Sequence, residues 1–292
     1  YSLLLSVLCG NKNIVRISQR SGDVTKFLVA HLSQYMRSPK GVALVSLISV
    51  IEYDAQHQHV TEQLSHWCGL RVVWGGDSAI ASVSKIAPKT PQICFPDRYS
   101  VAVLQLDNES NVASIANAFL ADLLPFTQQA CSSPKALYWL NTSNINQEKF
   151  WQQIELSLAS ATHQFGISHK VEQHLLLQRL ISSFGIALVD GSGNKLATFA
   201  RPMNIGPIAR CKVKTLTPNV LANHSGYGLV IEKEIESVDE IDCSSKLQTI
   251  SYRTLNEWHS PRGEFKRAVP MGKALEFAPV WDGVDLLQSF SQ

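Results

Sequence analysis

The spacing of apolar positions changes repeatedly along the chain, and each change marks an element. Ser2 to Cys9 is an apolar run closed by Gly10, the pattern of a helix end with glycine just beyond it. Asn13-Ile14-Val15-Arg16-Ile17-Ser18 is a short β-branched run that reads as a strand; after Ser21-Gly22-Asp23, the residues Val24, Phe27, Leu28, His31 and Leu32 recur at helical spacing. Gly41 to Val50 is almost continuously apolar, as expected of a strand covered on both faces of a parallel sheet, and Ala55 to Trp67 predicts the next helix. Leu70 to Trp74 is a third strand, from which Gly75-Gly76-Asp77-Ser78 leads into a short helix through Ile80, Val83 and Ile86. Strands alternating with helices in this way predict a doubly wound α/β domain.

Pro88 to Pro91 interrupts the pattern. Val101 to Leu106 then predicts a strand, Val112 to Leu124 a helix, and Ala136 to Leu140 another strand. Asn146 is a suitable cap for a helix carrying Phe150, Ile154, Leu158 and Ala161, and Val171 to Phe184 predicts a second helix. Ile186 to Val189, the turn Asp190 to Asn194, and Leu196 to Ala200 read as a hairpin. Leu229 to Ile235 and Leu247 to Tyr252 are strands, with a short helical start at Ser237 to Ile241. The handover from helix to strand around Leu124 is the expected boundary between two lobes, 1–124 and 125–292.

Composition narrows the class. With 292 residues, 45% apolar and 17% charged, the chain is an ordinary globular one that buries a large core in two domains. A net charge of +2 is too near balance for a nucleic-acid surface, although it leaves room for a local basic pocket that takes a phosphate. The six cysteines are far apart and form neither a zinc pattern nor a disulfide framework, so a reducing cytoplasm is expected. His57, His59 and His66 have no metal-ligand spacing, and no metal site is expected. The apolar stretches fall short of the roughly 20 residues that span a bilayer. The opening run has no basic residue before it and no initiator Met, so Tyr1 reads as an internal residue of a longer protein rather than the start of a secretory signal.

Five places carry candidate chemistry. Cys131 stands where a helix hands over to a strand, a position from which a thiol can reach a cleft; it is either a nucleophile, which needs surroundings that favour the thiolate, or a buried structural cysteine. Gly75 and Gly76, with Asp77 opening a helix, would let a phosphate approach the backbone at a helix N-terminus, although a glycine pair after a strand is also simply a tight turn. Arg16, Ser18 and Arg20 at the end of the first strand could hold a ribose 2′-phosphate or be ordinary surface residues. Asp97 and Arg98 could be a site pair, although an adjacent acid and base in a loop is more often local ion pairing. His224, in the glycine-flanked loop Asn223 to Gly228, could assist proton transfer or be a plain loop histidine.

Taken together, VVWGGDSAI (72–80), FPDRYSVAVL (95–104), QQACSSPKALYW (128–139) and RAVPMGKALEFAPVWDGVDLL (267–287) resemble the acyl-CoA reductase family typified by LuxC, the fatty-acid reductases of bacterial bioluminescence and their relatives. The resemblance runs through most of the chain. It implies an α/β fold like that of the aldehyde dehydrogenases, with a Rossmann-type nucleotide-binding domain over 1–124, a catalytic α/β domain over 125–292 and an N-terminal part that precedes Tyr1. It further implies an NADPH-dependent oxidoreductase in which Cys131 takes the acyl group of a fatty acyl-CoA or acylated protein and releases it as aldehyde. Synthetase and transferase partner subunits and a homo-oligomer are expected on the same ground. GNKNIVRIS (10–18) resembles the superfamily strand with cofactor-ribose contacts, carrying Arg16 where lysine is usual. The Glu-Leu-Gly-Gly pattern that carries the general base of the oxidising enzymes is absent; the region reads Phe95-Pro-Asp-Arg-Tyr-Ser100. The competing readings are an aldehyde dehydrogenase that oxidises aldehydes, and a non-catalytic acyl-binding subunit.

Overall fold

The computed structural model describes residues 1–19, 22–159, 166–190 and 203–291. The chain forms two compact units, Tyr1–Asp97 with Phe277–Gln292, and Arg98–Glu276. In the first, α1 (Ser2–Leu8), β1 (Asn13–Ile17), α2 (Asp23–Met36), β2 (Ile48–Glu52), α3 (Gln58–Trp67), β3 (Arg71–Trp74), α4 (Asp77–Lys85) and β4 (Gln92–Phe95) follow one another. They bear out the predicted strand–helix alternation, and the parallel pairs β1–β2 and β3–β4 join elements separated by a helix. The apolar run at Gly41 is a correction to the expected doubly covered strand. Val42–Ser46 is a 3-10 turn with Val42 and Val45 exposed, and only Ile48 onward pairs with β1. An apolar run does not by periodicity alone distinguish strand from helical turn, and here the turn takes its first half.

The second unit is built on one sheet. Its elements are β5 (Tyr99–Leu104), α5 (Val112–Leu123), β6 (Pro134–Leu140), α6 (Asn144–Ala159), α7 (Ile167–Phe184), β7 (Leu188–Val189), β8 (Met203–Ile205), β9 (Ile208–Val213), α8 (Pro218–Ala222), β10 (Leu229–Ile235), β11 (Leu247–Arg253) and β12 (Arg267–Pro270). The strand order is β12-β11-β5-β6-β10-β9-β7, with β8 also on β9; β7 and β8 run antiparallel to β9, and every other pairing is parallel. The alternation along β5 sorts the core into two layers. Tyr99, Val101 and Val103 face the α7 residues Leu176, Leu177 and Leu180, whereas Ala102 and Leu104 face Phe119 of α5 and Phe150 and Ile154 of α6. Both faces of β5 are therefore buried, which is why its sequence lacks the polar alternation of a half-exposed strand.

The expected boundary at residues 124 and 125 falls inside this unit, because β5 pairs with β6 and β11, and α5 and α6 share one aromatic core. Asn146 is not the cap of α6. The helix begins at Asn144, and Asn146 lies buried in its first turn with its N–H donated to the Ser143 hydroxyl. The expected hairpin partner at 196–200 lies outside the described residues. A buried carboxylate, Glu232, stands among the apolar side chains of the α5/α6 face. Its Oε2 accepts from both Trp139 Nε1 and Trp151 Nε1 at 2.8 Å, Arg210 Nε is 3.7 Å from Oε1, and burial pushes its pKa up against these favourable contacts.

The chain then returns to the first unit with β13 (Val280–Trp281), β14 (Val284–Asp285) and α9 (Leu286–Phe290). Asp282 and Gly283 both have positive φ, 52° and 80°, and join the two strands as a tight hairpin. Trp281, Leu286 and Phe290 pack with Leu5 of α1 and Phe95 of β4.

Phe150 is fully buried and meets Phe119, Trp139 and Trp151 edge to face. Phe150→Ala is expected to destabilise the second unit by about 3–5 kcal/mol, read from the urea unfolding midpoint.

Candidate active site

Between α5 and β6 the backbone takes an uncommon path. Phe126, Thr127 and Gln128 are consecutive residues in the left-handed region, with φ of 55°, 53° and 63°. Each such residue costs about 1–2 kcal/mol, so the surroundings must over-determine the segment. Gln128 supplies much of that hold. Its side chain is fully buried and its Nε2 donates to Pro134 O at 2.8 Å and Leu229 O at 2.7 Å, tying the segment to the starts of β6 and β10. The Lys135 ammonium donates to Gln128 O, and Tyr227 N–H donates to Thr127 O at 2.9 Å. Gly226 passes so close that a Cβ there would sit 2.6 Å from Gln128 O, and its φ of +100° excludes other residues on the same count.

Cys131 follows in a tight turn closed by Ser133 N–H donating to Ala130 O at 3.0 Å. Because Ser100 pairs with Pro134, this turn lies at the amino-terminal edge of the sheet, opposite to the carboxyl ends where ligands of doubly wound sheets usually sit. Ser100 Oγ donates to Cys131 O at 2.6 Å, and Ser132 Oγ donates to Gln248 Oε1 at 2.8 Å. The thiol is half-buried and unbridged. The other two cysteines of this unit are poor nucleophiles. Burial and the neighbouring Glu232 push the Cys211 thiol far up, and burial with Asp242 and Asp239 pushes Cys243 up to about 11.

His224 is buried beneath the same loop. Its Nδ1 accepts from Gly226 N–H at 3.1 Å, and burial together with the positive charge of Lys135 lowers its pKa to about 3. At neutral pH the ring is therefore uncharged, and its visible contact is to the glycine that approaches Gln128. The proton-transfer expectation draws no support from this setting, which suits a loop-holding ring better.

The remaining candidates, apart from Arg98, lie in the first unit. Gly75 and Gly76 follow the carboxyl end of β3, and Gly76 caps α4, with nothing within 4 Å of where a Cβ would be. Asp77 is exposed in the first turn of α4. Arg16, on β1, donates to Tyr53 O at 3.3 Å with its guanidinium 4.6 Å from the Tyr53 ring centroid, and Ser18 is exposed just past the strand. Arg20 lies outside the described residues. Arg98 donates to Ser245 O, which ties it to the loop before β11. Among the described residues no group of three His, Cys, Asp or Glu could hold a metal, and no helix is long and apolar enough to cross a membrane.

This is part of the fold of the aldehyde dehydrogenases. An NAD-dependent aldehyde dehydrogenase from Sinorhizobium meliloti matches 95% of the chain with a TM-score of 0.63 at 12% identity, and lactaldehyde dehydrogenase from Escherichia coli matches 96% with a TM-score of 0.61 at 10% identity. The chain spans 56% and 60% of those two proteins. The family model for LuxC, acyl-CoA reductase, matches residues 1–174, and the chain belongs to that family. Long-chain acyl-protein thioester reductase 2 of Photobacterium leiognathi is 24% identical over 144 residues, 49% of this chain but 29% of that protein.

Three outcomes follow from the site. Iodoacetamide at pH 8 is expected to label Cys131 ahead of Cys211 and Cys243, as mapped by peptide mass. Gly226→Ala is expected to cost more than about 1 kcal/mol in the urea midpoint, because the new Cβ meets a carbonyl and the backbone is left-handed. His224 has a folded pKa below its unfolded value near 6.5, so it contributes stability that is complete above about pH 6.5 and is lost as pH falls towards 3. His224→Gln is then expected to lose less stability than wild type between pH 7 and pH 5, measured by paired urea titrations.

Proposed function

We propose that this chain carries the catalytic thiol of an NADPH-dependent reductase that converts a long-chain fatty acyl thioester, on coenzyme A or on a protein, to the free aldehyde. The observation that carries the reading is Cys131: a half-buried thiol on a rigidly held turn, inside the motif shared with the LuxC family, in a unit whose other thiols are pushed towards the inert form.

The Cys131 thiolate attacks the thioester carbonyl, forming a carbon–sulfur bond and a tetrahedral oxyanion. The Cys131 N–H is a candidate donor to that oxygen; such donors typically contribute a few kcal/mol to the barrier. Collapse breaks the bond to the donor sulfur, which leaves as thiolate, and the acyl group stays on Cys131. When bound, NADPH supplies the hydride that reduces this acyl carbon. The tetrahedral carbon then expels the Cys131 sulfur and departs as aldehyde, so the thiolate is restored without a water-activating carboxylate. The sequence at the corresponding place, Phe95 to Ser100, has no Glu.

The nucleotide would be held by the first unit. Gly76 leaves its backbone open to a phosphate, and the Arg16 guanidinium with the Ser18 hydroxyl suits a 2′-phosphate. The Asp77 carboxylate would repel a phosphate, so its role is to accept from a ribose hydroxyl. Cytoplasmic location, a homo-oligomer and synthetase or transferase partners belong to the same reading.

Intact-mass measurement after addition of a long-chain acyl-CoA is expected to show one acyl adduct, absent in Cys131→Ala, and NADPH is expected to discharge it as aldehyde. Acid formation from an aldehyde and NADP(+) without coenzyme A would point to the oxidising reading, and the absence of any adduct to a binding subunit. Arg16→Ala is expected to raise KM for NADPH more than for NADH.

A further inference from the structure

The strand pairing on either side of Ser100 is irregular twice. Towards β6, Ser100 pairs with Pro134 and Val101 with Ala136, leaving Lys135 as an extra residue; towards β11, Tyr99 pairs with Leu247 and Val101 with Ile250, leaving Gln248 and Thr249 opposite Ser100 alone. Two bulges thus flank one residue of a central strand. A bulge removes ladder partners and re-aims the side chains beside it, so the groups at this level need other bonds.

Ser100 supplies two of them. Its hydroxyl, 1% exposed, accepts from Thr249 N–H at 3.1 Å and donates to Cys131 O at 2.6 Å. Gln248, on the bulged strand, accepts from the Ser132 hydroxyl at 2.8 Å through its buried side chain. The turn is therefore clamped at two successive residues by two side chains that the bulges turn towards it. Arg267 backs the clamp. Its Nε donates to Thr249 Oγ1 at 3.0 Å, Nη2 lies 3.5 Å from Ser132 Oγ and donates to Ala274 O at 2.5 Å, and the Gly272 and Ala274 N–H groups are held by Asp122 at 2.7 and 2.9 Å.

We propose that Ser100 and Gln248, presented by paired bulges on the two sides of β5, are positioning residues that aim Cys131 at the acyl carbonyl. The proposal rests on Cys131 being the acyl acceptor and adds the device that orients it. A thiolate held off line still reacts with a small alkylating reagent, whereas transfer from a bulky thioester needs an aligned approach.

The test compares Ser100→Ala and Gln248→Met with wild type and Cys131→Ala in the full natural polypeptide. Single-turnover acylation by a long-chain acyl-CoA is followed by quenched intact mass, and iodoacetamide labelling of Cys131 is measured from pH 6 to 10. Each folded variant is expected to acylate about 10- to 100-fold more slowly with its half-saturating acyl-CoA concentration unchanged. Its labelling profile with pH is expected to match wild type. Should Ser100→Ala fail to fold, as judged by its urea transition, Gln248→Met decides alone. A folded variant that acylates at the wild-type rate overturns the proposal, as does one whose labelling falls in the same proportion as its acylation. If Cys131→Ala still takes up the acyl group, the underlying assignment of the thiol fails instead, whatever the clamp variants do.

Discussion

The amide of Gln128 is the constraint on which the rest of the site depends. Three consecutive residues in the left-handed region would unwind in isolation, and the two bonds from Gln128 Nε2 to Pro134 O and Leu229 O bind them to the starts of two adjacent parallel strands. Everything after them, including the turn that bears Cys131, inherits its direction from that anchorage. The sheet below is stiff because β5 and β6 are buried on both faces, so a small residue such as Ser100 or Gly226 can set the height of the turn above it.

Much of the fold was legible in the chain because its elements announce themselves locally. The β-branched run at Asn13, the glycine pair after Trp74 and the long apolar run through Tyr138 and Trp139 became strands or strand ends as expected. The errors share one cause, which is that burial is not a local property. Val42 to Ser46 is as apolar as a central strand yet forms an exposed turn, and β5 was assigned to the first lobe although its neighbours, β6 and β11, lie far along the sequence. The Asp282-Gly283 pair, by contrast, is a local hairpin signal that the structure matches with β13 and β14.

The site was legible in chemistry and illegible in geometry. Cys131 was singled out by its junction and motif, and His224 by its glycine-rich loop. What those residues could not reveal alone was that the two loops pack together. Gln128 meets Leu229 across 101 residues of sequence, and Gly226 is required by a carbonyl that no sequence window containing it includes. The pairing buries the histidine beneath the loop, and it makes Gln128, one of two adjacent and outwardly similar glutamines, the one that carries structure. Gln129, its neighbour, is exposed.

The convergence of two indole N–H groups on Glu232 has an optical consequence. Trp139 and Trp151 sit in a dry core beside a carboxylate, while Trp67 and Trp74 of the other unit stand substantially in water. Trp139 and Trp151 should therefore emit to the blue of Trp67 and Trp74, with the buried Trp281 of the smaller unit adding to the blue band. The molecule thereby contains a spectroscopic label, built from its own side chains, whose red shift marks the wetting of a core.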